Sequence, residues 1–107
     1  MRYMIRFEAS IEAGNKVDRS PGGPGAAIGS ILGLLKPEAF YVSVFKREIF
    51  MIINSDSAAM LSEAAHLIQL VAGCNPEVTP IMTSEEAMAL LPVAVPNAVN
   101  TTKSLGL

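Results

Sequence analysis

Two residues apart on an alternating segment, Arg6 and Glu8 are the most suggestive pair in this 107-residue chain. A guanidinium presents a fork of donors that can hold a carboxylate or an enolate, and a carboxylate beside it can move a proton. Residues 2–9 alternate Tyr3, Ile5, Phe7 and Ala9 with Arg2, Met4, Arg6 and Glu8. Period two therefore puts Arg6 and Glu8 on one side of a strand, with Cα atoms about 7 Å apart. Tyr41 and Ser43 share one face of a later strand and are candidates to join them. Arg6, Glu8, Tyr41 and Ser43 form the candidate ligand-binding set. The same residues also fit a structural ion pair or a contact between subunits.

The other reactive side chains lack the company that chemistry needs. His66 is the only histidine and falls on the outward arc of its helix, with no orienting acid or reacting partner identifiable. Cys74, the only cysteine, excludes an intrachain disulfide, a CxxC redox pair and a cysteine-rich zinc site. It reads as packing at a helix end. The stretch Ser20-Pro21-Gly22-Gly23-Pro24-Gly25-Ala26-Ala27-Ile28-Gly29 precedes a helix, where amides can bind an anion. It matches neither GxxxxGK[ST] nor GxGxxG, and no strand runs straight into it, so it reads as a connection or lid. No metal or cofactor is expected, and no catalytic residue is assigned.

Composition narrows the classes further. Eight basic and ten acidic residues give a formal charge of −2 with no basic block, against nucleic-acid binding. The longest nearly apolar run, Ala26 to Leu35, has about half the residues a transmembrane helix needs. The opening Met1-Arg2-Tyr3-Met4-Ile5-Arg6 carries charges where a signal peptide is apolar, so a cytoplasmic protein is expected, with no membrane partner. Half the residues are hydrophobic and the mean hydropathy is +0.40, high for so small a domain. Such a composition points to surface that a partner covers.

The elements that must position these groups follow from periodicity. Residues 10–24, with Gly14, Asn15, Asp18, Ser20, Pro21, Gly22, Gly23 and Pro24, have loop chemistry with room for a helical turn near Lys16. Residues 14–25 are accordingly expected to be the most mobile internal segment. Ile28, Ile31, Leu32 and Leu35 mark one helical stripe, ended by Lys36-Pro37. Gly29 and Gly33 weaken that helix and suggest close approach to a sheet. Phe40–Phe45 and Ile49–Ile53 read as a hairpin with Lys46, Arg47 and Glu48 in its turn. The second of these strands is apolar on both faces and belongs in the middle of a sheet.

A helix with Leu61, Ala64, Ala65, Ile68, Val71 and Ala72 inward follows, stopped at Gly73. Residues 77–82 make an edge strand containing Pro80. Thr83-Ser84-Glu85-Glu86 opens a short helix through Leu91 by a capping box. The order is β-α-β-β-α-β plus a short C-terminal helix and tail, the ferredoxin-like α+β plan. In that plan four antiparallel strands run 4-1-3-2 and both crossover helices cover one face. Residues 1–91 are the domain, and 92–107 a tail or an arm laid on a neighbour.

With that order in hand, the chain resembles the dimeric α+β barrel superfamily, nearest to small uncharacterised bacterial members. The residues that carry the likeness are Arg2-Tyr3-Met4-Ile5-Arg6-Phe7-Glu8, Leu35-Lys36-Pro37-Glu38-Ala39-Phe40-Tyr41 and Val78-Thr79-Pro80-Ile81-Met82-Thr83. The resemblance implies pairing of sheet to sheet and a space between sheet and helices that holds a small organic ligand. Relatives include cofactor-independent monooxygenases, muconolactone isomerase and stress-induced proteins. The monooxygenases often use His, Asn or Trp in the pocket. This chain has no Trp, and no catalytic residue is carried over. Two functions follow as expectations. One is a homodimer that binds a small organic molecule in a mostly apolar pocket, with or without cofactor-free catalysis. The other is a non-enzymatic oligomeric module.

Overall fold

The alternation of β1 (Arg2–Glu8) resolves into two unlike faces in a computed structural model that describes all 107 residues. Ile5 and Phe7 are buried and Tyr3 packs beside them, whereas Met4 and Glu8 are exposed. β3 (Glu48–Asn54) pairs with β1 antiparallel, Ile5 opposite Met51 and Arg6 opposite Phe50. β2 (Ala39–Ser43) borders β3, and β4 (Glu77–Ile81) borders β1 on the other side. The sheet order is β2-β3-β1-β4, which read from the opposite edge is β4-β1-β3-β2. Apolar β3 is thus interior and β4, with Pro80, is an edge, where a missing N–H donor costs least.

Three helices supply the other layer. α2 (Gly23–Leu35) contributes Ile31 and Leu35 to the core, and α3 (Ala58–Ala72) contributes Ala64, Ile68 and Ala72. These meet Ile5, Phe7, Ile49, Met51 and Ile53 on one face of the sheet. α3 starts at Ser57, whose side chain accepts from the Met60 amide, and ends at Gly73 with φ 63°. A side chain at position 73 would meet Ser10 Oγ at 2.8 Å, so backbone and neighbour both require glycine there.

Several expectations are corrected. Residues 10–24 are not a loop: α1 (Ile11–Arg19) is a nine-residue helix, and only Ser20 to Gly22 separate it from α2. Ser10 accepts from the Ala13 amide and Glu12 and Arg19 suit the two helix ends, so local signals offset Gly14. The element order is therefore β-α-α-β-β-α-β-α. β2 ends at Ser43, leaving Val44 and Phe45 in the turn, and Glu48 belongs to β3. Gly29 and Gly33 do not approach the sheet, since nothing lies within 4 Å of a Cβ built at either. Gly29→Ala and Gly33→Ala are each expected to stabilise the protein by up to about 1 kcal/mol. Urea titration checks this, and a loss of stability would show that the bare glycine surface is in contact.

The short C-terminal helix and tail are the largest correction. α4 (Ser84–Ser104) runs 21 residues, through both Pro92 and Pro96. The capping box is present: Thr83 Oγ accepts from the Glu86 amide, and Glu86 reaches back to Thr83. None of its residues is buried. At about 1.5 Å per residue it reaches roughly 31 Å. It gives the chain a radius of gyration of 18.1 Å, against about 13 Å for a compact chain of this length. No helix is long and apolar enough to cross a membrane.

Candidate functional site

One end of the sheet gathers polar groups from three strand ends. Ser43, Glu48 and Glu8 lie in one row across β2, β3 and β1. The next row is Tyr41, Phe50, Arg6 and Glu77. Both rows face away from the core, as strand alternation requires. Arg6 Nη2 donates to Glu48, and Arg6 Nη1 is 3.3 Å from Glu77 Oε1. The guanidinium carbon lies 6.0 Å from the Phe50 ring centroid, at the limit of cation–π attraction. Glu48 charge pushes the Arg6 pKa above its ordinary value by more than burial lowers it, with Glu77 adding to the rise.

Arg6 is thus half-buried on the face away from the helices, and its partners are Glu48 and Glu77. Glu8 is exposed and stands across from Glu48, a like-charge cross-strand pair. Tyr41 is exposed and Ser43 half-buried. One guanidinium among three carboxylates leaves excess negative charge, so an anion finds no vacant cation here. Glu48, at 7 % exposure, is the one buried charged residue and was absent from the sequence-based set. Its signal was parity: with Phe50 and Ile52 it occupies every second place of β3.

A second feature lies on the opposite face, between sheet and helices. A cavity of about 750 Å³ has Phe7, Val42 and Ile49 as its floor and Val17, Ile28 and Ile31 from α1 and α2 against it. Asp18, Lys46 and Arg47 are its charged neighbours on this face, and Glu8 and Ser43 border it at the strand ends with their side chains on the other face. The β2–β3 turn forms the mouth, where Phe45 is 98 % exposed. Arg47 is fixed there, Nη2 lying 2.7 Å from Asp18 Oδ2 and 2.8 Å from Asn15 Oδ1. Its side chain crosses α1 at Gly14, where an added Cβ would fall 2.2 Å from Arg47 Cδ.

The structure therefore divides the predicted set. Glu8 and Ser43 border the cavity, whereas Arg6 and Tyr41 do not. Lys46 and Arg47, read in sequence only as turn residues, are the cations beside the cavity. His66 is on the outer surface, its Nδ1 2.7 Å from the Ser62 carbonyl, to which it donates. Burial pushes the Cys74 thiol pKa up, which disfavours the nucleophilic thiolate. No family model, curated protein or solved structure matches the chain.

Proposed function

We propose that the chain is a ferredoxin-like protein of the dimeric α+β barrel type, and that its cavity binds a small, largely apolar organic molecule. The cavity carries this reading. Its volume of about 750 Å³ lies within the roughly 300–1,000 Å³ of ordinary ligand sites. Apolar walls with a few polar groups at one end are the usual arrangement for holding and orienting such a molecule. Lys46 offers an unpaired ammonium at the mouth, while Arg47 is occupied by Asp18 and Asn15. The ligand that suits this lining has an apolar body and one polar or anionic end.

Pairing through the open sheet face is the second part of the proposal. Phe50, Ile52 and Met4 are incompletely covered there within one chain, and the core-forming residues of α2 and α3 pack on the other face. The competing reading is an oligomeric module without a ligand, favoured by the closed ion-pair set around Arg6.

Anilinonaphthalene sulfonate, an apolar dye with one anionic end, tests the cavity. The protein is expected to bind it saturably, and Ile28→Trp, which fills the cavity, to weaken binding by about tenfold or more. Equal binding by the parent and the filled variant would place the dye elsewhere and remove the support for a ligand site.

A further inference from the structure

α4 poses a physical problem that one chain does not solve. From Ala87 to Val99 the helix has no charged residue, and only Pro92, Pro96 and Asn97 interrupt its aliphatic side chains. Helices apolar all round are buried helices. Two internal prolines each remove a backbone hydrogen bond and divide the helix into segments shorter than the roughly 12–15 residues below which isolated helices are marginal in water. Packing must therefore hold α4, yet Leu91 and Val95 remain 52 % and 51 % exposed. The only cation near its end is Lys103, whereas helices that lie on membranes carry a basic polar face.

The area left over has the size of a subunit interface. A compact monomer of this mass exposes about 5,700 Å², whereas this chain exposes 7402 Å². The excess, about 1,700 Å², falls within the range one chain buries in an obligate homodimer. A receptor of matching character exists on the same chain. Between α2 and α3 runs a groove of about 410 Å³ whose lining, including Leu34, Leu67, Ile68 and Val71, is apolar except for Ser30. It contains no charge, like the arm, whereas the open sheet face carries Arg6, Glu48 and Glu77.

We propose that α4 is an exchanged arm: Ala87–Val99 of one chain lies in the α2–α3 groove of a second copy of the same chain. The salt bridge between Arg2 and Glu86, at 3.6 Å, holds the root of the arm to its own sheet while the rest projects. The arm requires a second copy but not the sheet-to-sheet pairing or the ligand proposed above. The groove also shares Phe7, Ala27, Ile31, Val71 and Ala72 with the cavity, so the seated arm becomes part of the wall between cavity and solvent.

Two full-length variants in a Cys74→Ser background test the exchange, one with Leu91→Cys on the arm and one with Leu34→Cys in the groove. Mixed and oxidised, they are expected to give a mixed disulfide dimer. A Leu91→Glu/Val95→Glu protein, which keeps helix-forming residues, is expected to dissociate on the order of a hundredfold more readily in sedimentation. Ile28, unlike Leu34, borders only the cavity, so the dye experiment fails or succeeds independently. The exchange is overturned if Leu91→Cys couples to Tyr41→Cys on the open face instead of Leu34→Cys. It is overturned equally by unchanged sedimentation of the double-Glu protein, or by phosphatidylglycerol vesicles, rather than a second copy, protecting Ala87–Val99 from amide exchange.

Discussion

Arg6→Ala is expected to lower the melting temperature by more than about 5 °C near neutral pH, an unusually large effect for a half-exposed side chain. The cause is the residue left behind. Glu48 is buried and receives the Arg6 guanidinium, and its cross-strand neighbour Glu8 is another carboxylate. Removing one partner of a buried pair strands the other charge, which costs more than the intact pair contributed. The double replacement Arg6→Met/Glu48→Leu removes both charges and is expected to stay near parental stability. Melting curves of the parent, Arg6→Ala and the double variant check both, and a deficit in the double variant equal to that of Arg6→Ala would show that Arg6 acts by packing alone.

Ile52→Lys is expected to disrupt self-association most strongly. Ile52 is half-buried on β3 at the centre of the open face, flanked in register by Ala39 and Met4. Within one chain a lysine there keeps its ammonium in water. Between two stacked sheets about 10 Å apart, the two lysines would lose water without gaining a partner. The dimer dissociation constant is expected to rise about a hundredfold or more while the melting curve of the dilute protein changes little. Dissociation unchanged at micromolar concentration would move the interface off the open face.

Alternation made the first strand legible. Tyr3, Ile5 and Phe7 had to share a face, and Arg6 had to lie opposite them. An apolar β3 and a proline in β4 likewise point to an interior and an edge position, and the sheet order places both strands there. Where the reading failed, two physical tendencies competed. In α1, Gly14, Asn15 and Asp18 carry turn propensity, but the Ser10 cap and the contact of Arg47 with Asn15 and Asp18 favour a helix. In α4, the rule that proline ends a helix states a cost, about 3 kcal/mol, and the surrounding Ala, Leu and Val continue the helix past it.

The site was less legible than the fold for a related reason. Parity on a strand decides the face of a side chain but not which partner it meets. Arg6 meets Glu48 and Glu77 from neighbouring strands, rather than Glu8 from its own. Glu48 was hidden by the hairpin boundary, which shifted by a few residues because Val44 and Phe45 look like strand residues yet form the turn. The cavity depends on how α1, α2 and the turn meet, which no local pattern encodes.

Native mass spectrometry of the freshly purified protein tests the central claim, a paired chain with a ligand in its cavity, most directly. The expected spectrum shows a dimer carrying a small organic adduct that denaturing conditions release. Ile28→Trp should remove the adduct and leave the dimer. A bare monomer at micromolar concentration, unable to take up anilinonaphthalene sulfonate, would contradict the account.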